Sequence, residues 1–260
     1  MPKIEGYAPR FEVLGVRVDA LQIGDVVRYM ERWIQDRDPG RFIAVTGMHG
    51  VSEALHDPSF RSVLNAADLV VPDGMPLVWL GRWHGYRLKR RVYGPELMET
   101  FCRRTGGLYR HFLYGSAAGV LERMVGILAE QYGNRVVGAY SPPFRALTRE
   151  ERRDIVKQIQ EAKPDVLWVG LSTPKQERWI AENREWLEVP VLVGVGAAFD
   201  FQTGEVKQAP RWVRENGLEW LFRLLQEPRR LWRRYLIRGS QFVWNVTLEI
   251  VGIKKFNGAR

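Results

Sequence analysis

From residue 41 onward the sequence repeats one pattern: a short apolar run, then a turn of small residues, then a stretch with helical spacing. The apolar runs are residues 41–45, 110–114, 165–170 and 189–193. Strands that alternate with helices pair in parallel through right-handed crossovers. Runs that are apolar throughout are typical of strands covered on both faces. The sequence therefore predicts an α/β fold, a Rossmann-like and mainly parallel sheet with helices on both faces.

The residues before this repeat predict two further elements. Residues 11–18 are typical of an edge strand or a hairpin, and residues 25–35 have the apolar spacing of a helix. Asp36-Arg37-Asp38 has the spacing of a metal-binding Asp-x-Asp motif. It lies in a polar stretch directly before Pro39-Gly40, which is typical of a solvated loop.

Charge divides the chain into two parts. The net charge is +9, and residues 205–260 alone contain 12 Lys/Arg and five Asp/Glu. This region reads as two short helical pieces that separate near Pro228, followed by residues 241–256, for which a strand and an irregular amphipathic tail both stay open. We predict a Rossmann-like domain over residues 1–204 and a basic, aromatic-rich appendage over residues 205–260.

The appendage has the composition of a membrane-surface segment. Eight arginines lie between residues 211 and 238. Five large aromatic residues are interleaved with them: Trp212, Trp220, Phe222, Trp232 and Tyr235. This mixture is typical of a helix in the interface of an anionic membrane, and an ordinary amphipathic helix docked on the body is the simpler alternative. No recognised nucleic-acid-binding motif accompanies the charge, so we expect no nucleic-acid partner.

Composition also indicates in which cellular compartment the protein is expected. Cys102 is the single cysteine, which excludes an internal disulfide and a cysteine-based metal cluster and favours a reducing compartment. No apolar run follows Met1, so we expect no signal peptide. No 18 uncharged apolar residues occur together, so we expect no transmembrane span.

One carboxylate stands at the end of a further apolar strand, residues 69–71. Pro72 ends that strand because it cannot donate a ladder hydrogen bond, and Gly74 permits the tight turn that follows. Asp73 lies between them. Ligands of open α/β sheets bind at the carboxyl ends of the strands, so Asp73 is a candidate general base. The alternative is an aspartate that only stabilises a turn or a helix N-terminus.

Other turns of the same rim carry candidate phosphate contacts, because backbone N–H groups and helix N-termini meet there. Gly194 and Gly196 begin a dinucleotide fingerprint, but Phe199 stands where its third glycine belongs. Thr173-Pro174-Lys175-Gln176 matches a capping box. Gln176 then either closes its own helix or turns its amide toward a ligand.

A cluster of four cations within residues 87–91 directly precedes a predicted turn and helix. Such runs are usually solvated surface. An inward-facing arginine at this place would nevertheless suit a phosphate, because the guanidinium presents a planar fork of donors.

Several motifs together resemble the bacterial WecG/TagA/CpsF family of glycosyltransferases. They span residues 12–238 and comprise Val71-Pro72-Asp73-Gly74, Tyr114-Gly115-Ser116 and residues 91–97, 173–180, 194–201 and 217–235. The resemblance implies an inverting transferase that needs no metal or other cofactor. It implies a UDP-sugar donor, commonly of N-acetylmannosamine or its uronic acid, and a polyprenyl-diphosphate-linked sugar as acceptor.

The resemblance also implies roles for single residues. By position, Asp73 matches the family's catalytic base, and Thr46, Arg91 and Gln176 match residues of its substrate pocket. We expect further substrate contacts from the rim turns and the appendage, at His49, Gly74, Gly115, Ser116, Gly196, Phe199, Arg223, Arg230 and Arg233. The appendage matches a segment that helps to close the site and to touch the membrane. The chain departs from the family pattern at residues 46–49 and 208–210, which leaves the donor sugar open.

Two other functions stay open on the sequence alone. A nucleotide-dependent oxidoreductase on the same fold would bind NAD(P), and the incomplete glycine fingerprint argues against it. A non-catalytic membrane-binding module would leave the Asp73 turn without a role. The arginine-rich tail could equally form a subunit contact in a homo-oligomer. For the transferase we expect a cytoplasmic protein, peripheral on the inner face of the cytoplasmic membrane.

Overall fold

The N-terminal residues form a hairpin that is fixed to the main sheet. A computed structural model describes residues 8–256, and its first elements are strands β1 (Arg10–Val13) and β2 (Val16–Asp19), which pair antiparallel. The buried carboxylate of Asp19 accepts hydrogen bonds from the Arg10 side chain, at 2.5 Å, and from the backbone N–H of Val70, at 2.7 Å. Of the edge strand and the hairpin predicted as alternatives for residues 11–18, the structure has the hairpin.

Six parallel strands form the main sheet. In chain order they are β3 (Arg41–Thr46), β4 (Leu69–Pro72), β5 (Arg110–Gly115), β6 (Arg135–Tyr140), β7 (Val166–Gly170) and β8 (Val191–Gly194). Their order across the sheet is β4-β3-β8-β7-β5-β6, and every neighbouring pair is parallel. The predicted α/β architecture is confirmed, and the edge strand β6 is an element that the sequence pattern did not reveal.

Helices cover both faces of this sheet. The first face carries α2 (Met48–His56), α3 (Pro58–Asn65), α4 (Met75–Trp83), α7 (Arg149–Ala162), α8 (Lys175–Leu187) and α13 (Gly239–Ile250). The second face carries α1 (Ile23–Gln35), α5 (Gly94–Thr105), α6 (Ala118–Tyr132) and α9 (Ala198–Gln202). Alternate strand residues supply the two cores: Phe42 and Ala44 of β3 face the first, and Ile43 and Val45 the second. Both faces are therefore apolar, as the uninterrupted runs predict.

All regular secondary structure in the described part of the appendage is helical. Short helices α10 (Arg211–Glu215), α11 (Glu219–Gln226) and α12 (Pro228–Trp232) lead through a π-helical turn, Arg233–Arg238, into α13. Pro228 stands at the first position of α12, so the predicted break near it is confirmed.

Residues 241–256, left open between strand and tail, mainly form helix α13. Phe242 and Val246, one helical turn apart, are buried against the first face. A strand would place Trp244 on the same face as Phe242 and Val246, but Trp244 is exposed. Among the described residues, no helix is long and apolar enough to cross a bilayer. The boundary between residues 204 and 205 stays a prediction.

Candidate active site

The topology of the sheet opens a crevice at the carboxyl end of β3. Strands β3 and β8 are neighbours in the sheet. Helix α2, which follows β3, packs on the first face, whereas α9, which follows β8, packs on the second. The two connections leave the rim in opposite directions, and such switch points are where open α/β sheets bind ligands.

Asp73 lies in a cleft at this point of the rim. Its backbone N–H donates to the carbonyl of Thr46 at 2.7 Å, which joins the turns after β3 and β4. Gly74 has a φ of 114°, a backbone conformation that favours glycine, and it leads directly into α4. The Asp73 side chain is 32% exposed and opens into a cleft of about 180 Å³, which we call the Asp73 cleft. The carboxylate is thus accessible to a ligand.

The Asp73 cleft has walls from five parts of the chain. Its lining includes His49 from the start of α2, Gly74 from the turn after β4, Arg91 and Tyr93 from the stretch before α5, Thr173 from the turn before α8, and Glu219, Arg223 and Tyr235 from the appendage. Thr46 lies directly below. It is buried, and its hydroxyl has no hydrogen-bond partner among the described residues.

Arg91 links Asp73 to the appendage. One guanidinium nitrogen lies 4.0 Å from Oδ1 of Asp73, and another forms an ion pair with Glu219 of α11. The guanidinium also lies over the ring of Tyr93, 4.1 Å from its centroid. Burial lowers the pKa of Arg91, but the charges of Asp73 and Glu219 outweigh it and the pKa is raised. Arg91 is therefore a fixed cation beside the carboxylate.

Tyr93 and Glu219 are site residues that the sequence analysis did not single out. The Tyr93 hydroxyl donates to Oε1 of Glu219 at 3.4 Å, and the two residues are 126 positions apart. Burial, together with the charges of Glu219 and Asp73, raises the pKa of Tyr93, so the phenol stays neutral and can donate. Both residues lie inside stretches that carry the family resemblance, which was the available signal.

The predicted arginines of the appendage have different positions. Arg223 lines the Asp73 cleft and lies over the ring of Phe201, 5.6 Å from its centroid. Arg233 stacks on Trp232 of the same segment, at 5.3 Å, and is not part of the cleft lining. The side chain of Arg230 lies outside the described part of the chain. The structure thus brings Arg223, and not Arg233, to the Asp73 cleft.

Gln176 fixes the turn that follows β8. Its Oε1 accepts from the backbone N–H of Gly196 at 2.9 Å, and its Nε2 donates to Glu177 at 3.0 Å. The Thr173 hydroxyl donates to the same Glu177 oxygen at 2.7 Å. A Cβ at Gly194 would lie 3.0 Å from Nε2 of Gln176, so the side chain is closely confined. Gln176 reaches the rim through Gly196, and a direct contact with substrate stays a prediction.

The predicted capping box at residues 173–176 is wrong. Helix α8 begins at Lys175 with Pro174 at its N-cap, and no side chain caps it. The Thr173 hydroxyl bonds to a buried carboxylate instead of a helix N–H. Desolvation by this burial raises the pKa of Glu177. Thr173 and Gln176, which the motif assigned to a helix end, thus belong to a buried polar cluster around Glu177.

Gly115, Ser116 and Phe199 lie farther along the rim, outside the Asp73 cleft lining. Ser116 follows β5, and its hydroxyl donates to Asp200 at 2.8 Å. A Cβ at Gly115 would lie 2.4 Å from the carbonyl oxygen of Gly170, so only glycine fits there. Phe199 is fully buried below Gly170. Their contacts with substrate stay predictions.

The Asp36-Arg37-Asp38 stretch is a loop whose carboxylates bind neighbouring arginines, as expected. Asp38 accepts from Arg41 at 2.7 Å, and Asp36 from Arg32 at 3.4 Å. Over residues 8–256, no three His, Cys, Asp or Glu side chains form a group that could hold a metal ion.

Known proteins match almost the whole chain. The family model described as "Glycosyl transferase WecG/TagA/CpsF family" matches residues 11–255. An N-acetylglucosaminyldiphosphoundecaprenol N-acetyl-beta-D-mannosaminyltransferase of Bacillus subtilis (strain 168) is 31% identical over 211 residues, which are 81% of this chain and 80% of that protein. A protein of the same name from Staphylococcus aureus (strain MW2) is 28% identical over 227 residues, 86% of this chain and 87% of its own length.

Proposed function

Since this chain belongs to the WecG/TagA/CpsF family of glycosyltransferases, we propose that it transfers N-acetylmannosamine from UDP to N-acetylglucosamine on a polyprenyl diphosphate. The names of the relatives supply the donor sugar and the acceptor. The observation that carries the proposal is the accessible Asp73 carboxylate in a cleft whose wall contains the fixed cation Arg91.

Asp73 is the proposed general base. The acceptor hydroxyl oxygen attacks the anomeric carbon of the donor sugar while its proton passes to the Asp73 carboxylate. The bond from that carbon to the diphosphate oxygen breaks, and its electron pair leaves with UDP. The configuration inverts because attack and departure take place on opposite faces. A positioned base of this kind contributes roughly 10²–10⁴-fold in rate.

Arg91 and Arg223 are the proposed partners of the departing diphosphate. Both line the Asp73 cleft. Negative charge develops on the leaving oxygen, and preorganised cations and N–H groups stabilise it most in a site shielded from water. The N–H groups at the start of α4, directly after Asp73, are further donors. Because these groups would neutralise the negative charge of the departing diphosphate, the proposal includes no metal ion.

The appendage completes the site in this proposal. Glu219, Arg223 and Tyr235 reach the Asp73 cleft from α11 and the π-helical turn. The same segments expose large apolar side chains, including Leu225, Leu236 and Ile237. A segment that closes the cleft and also touches a membrane would bring the site to an acceptor that is anchored in lipid.

The test is an Asp73→Asn variant assayed with UDP-N-acetylmannosamine and a short-chain lipid-diphosphate N-acetylglucosamine, with and without EDTA. We expect wild-type turnover in EDTA, and a loss of about 10²–10⁴-fold in kcat for the variant with UDP affinity nearly unchanged. Asp36→Asn in the solvated loop is the matched control, with full activity expected. Turnover in Asp73→Asn near the wild-type rate would exclude Asp73 as the base.

A further inference from the structure

A second cavity adjoins the Asp73 cleft. It has a volume of about 440 Å³ and shares Met75 and Arg91 with the cleft. Its walls are α4, the stretch from Lys89 to Arg91, and Arg214 with Asn216 of the appendage. We call it the basic groove. A ligand held at Asp73 can therefore continue into the basic groove without leaving the protein surface.

The basic groove contains more positive than negative charge. Its lining includes Arg82, Lys89, Arg90, Arg91 and Arg214, with Glu96 as the carboxylate. Arg90 pairs with Glu96 at 3.1 Å, and Arg91 pairs with Glu219. Lys89 and Arg214 form no ion pair with any side chain that the structure describes, and Nε of Arg214 is buried without a hydrogen-bond partner. Arg82 donates only to backbone carbonyls, so three cations of the groove have no carboxylate partner among the described residues: Arg82, Lys89 and Arg214.

The loop that carries Lys89 is held in place by backbone contacts. Arg82 of α4 donates to the carbonyl of Leu88 at 2.7 Å and to that of Lys89 at 2.9 Å. Leu88 itself is buried in the core of the first face. Lys89 is exposed, so its ammonium group projects from a fixed backbone and needs no rearrangement to meet an anion.

Apolar surface continues from the groove along α4. Trp79 lines the groove, and Trp83 follows one helical turn later on the same side. Their side chains are 50% and 70% exposed. On its other side the Trp79 ring packs closely on Gly217, where a Cβ would lie 3.1 Å away. Exposed indole rings therefore adjoin the cations of the basic groove.

We propose that the basic groove binds the diphosphate of the lipid-linked acceptor and that the first isoprenyl units lie on Trp79 and Trp83. This inference rests on the proposed function. The acceptor sugar must present its hydroxyl at Asp73, and the diphosphate is attached directly to that sugar, so it must lie in a contiguous pocket. The two negative charges of an ionised diphosphate diester would meet cations that have no carboxylate partner among the described residues. The hydrocarbon chain then meets the apolar surface.

The test is isothermal titration calorimetry of the full-length protein with farnesyl diphosphate, which requires no turnover. We expect Lys89→Glu to weaken binding at least about tenfold, as a charge-assisted contact of about 1.5 kcal/mol or more would. Arg153→Glu is the matched control, because Arg153 is exposed on α7 and its reversal changes the net charge equally. UDP affinity should stay unchanged in both variants. Trp79→Ala should weaken farnesyl diphosphate but not inorganic pyrophosphate.

Three binding results would contradict the inference. Unchanged farnesyl diphosphate affinity in Lys89→Glu removes the groove as a diphosphate site, and an equal loss of UDP affinity assigns it to the donor. Phosphatidylglycerol vesicles without any diphosphate lipid form a separate arm. If Lys89→Glu reduces only vesicle binding, the groove contacts membrane headgroups instead. An enzyme that binds farnesyl diphosphate in this way but transfers no sugar would contradict the proposed function alone.

Discussion

Arg91 is the residue that connects the body of the protein to the appendage. It faces Asp73 from the body and Glu219 from the appendage, and its stacking on Tyr93 fixes the plane of the fork. A phosphate that binds Arg91 must share it with Glu219 or displace that carboxylate. The donor site and the position of α11 are therefore coupled through one side chain, which a lysine could not reproduce because it lacks the planar fork.

Two of these four residues, Asp73 and Arg91, could be predicted from the sequence, and Tyr93 and Glu219 could not. A carboxylate after a strand and a cation before a helix follow local rules, which is why Asp73 and Arg91 were predicted from their neighbours. Tyr93 and Glu219 bond across 126 residues, and no local pattern records such a pairing. Gln176 shows the converse: its local capping pattern was clear, but the buried cluster around Glu177 determined its bonds.

Glu177 yields a prediction about pH. Burial raises its folded-state pKa, so as pH rises above the ordinary glutamate range the unfolded chain ionises more readily than the folded one. Folding stability is then lost, by about 1.4 kcal/mol for each unit of pKa difference. Relative to Glu177→Gln, we expect the wild type to lose stability between pH 5 and pH 8. Urea unfolding of both proteins at these pH values measures the difference.

Glu151 supplies the control for this prediction. It is an exposed carboxylate whose pKa is lowered to about 2 by hydrogen bonds from Arg145 and Thr148. Its ordinary pKa is 4.5, so it is ionised in both states above about pH 6, and the difference between wild type and Glu151→Gln should be flat from pH 6 to pH 8. Parallel stability profiles for wild type and Glu177→Gln would show that Glu177 folds in its charged form.

At the scale of elements, the strand–turn–helix repeat predicted the four inner strands of the sheet, the apolar residues 69–71 predicted the edge strand β4, and the other edge strand, β6, was missed. Strands β3, β5, β7 and β8 are apolar runs because both faces are covered. Strand β6 pairs only with β5 and no residue of β6 is fully buried; its apolar run, residues 136–140, has Gly138 at its centre, and glycine weakens a strand pattern. Helix α13 was ambiguous because a single pair, Phe242 and Val246, faces the core of the first face.

The turn after β3 determines whether Asp73 is placed correctly. A Cβ at Gly47 would lie 2.1 Å from the carbonyl oxygen of Asp73, a backbone atom that cannot rotate away. We expect Gly47→Ala to separate the two turns, to cost about 1–3 kcal/mol of stability and to reduce kcat. Thermal unfolding and turnover measure both effects. Gly126→Ala in α6 is the control, since its Cβ meets no atom within 4 Å.

The two alanine variants should change folding stability in opposite directions. Gly126 lies inside a helix, where alanine is favoured over glycine by about 0.5–1 kcal/mol, so the control is expected to be slightly more stable and fully active. A Gly47→Ala protein with wild-type turnover would show that the Asp73 turn tolerates displacement, and that its close contact with the turn after β3 does not position the base.

For the whole molecule, the apolar residues exposed on the appendage and on α4 are the basis for expecting attachment to a membrane. Leu225, Trp232 and Trp244 of the appendage and Trp83 of α4 all expose large side chains, and the appendage also carries most of the net positive charge. Deleting the appendage would uncover the core of the first face, where Phe242 and Val246 pack. Single surface substitutions are therefore the sharper test of membrane contact.

We expect Leu225→Ser with Trp244→Ser to weaken sedimentation with phosphatidylglycerol vesicles by roughly tenfold or more, since each indole or leucine that enters the interface contributes about 1 kcal/mol or more. Trp186→Ser is the matched control, because Trp186 on α8 is 67% exposed and Trp244 is 64% exposed. Salt should weaken the wild-type attachment as well, because charges on the membrane surface are screened beyond about 8 Å at physiological ionic strength.

If the control variant loses vesicle binding as much as the double variant, the attachment is unspecific adsorption of exposed tryptophan. If neither variant loses vesicle binding, the appendage binds something other than a lipid surface. Its apolar side chains are then available for a contact between subunits.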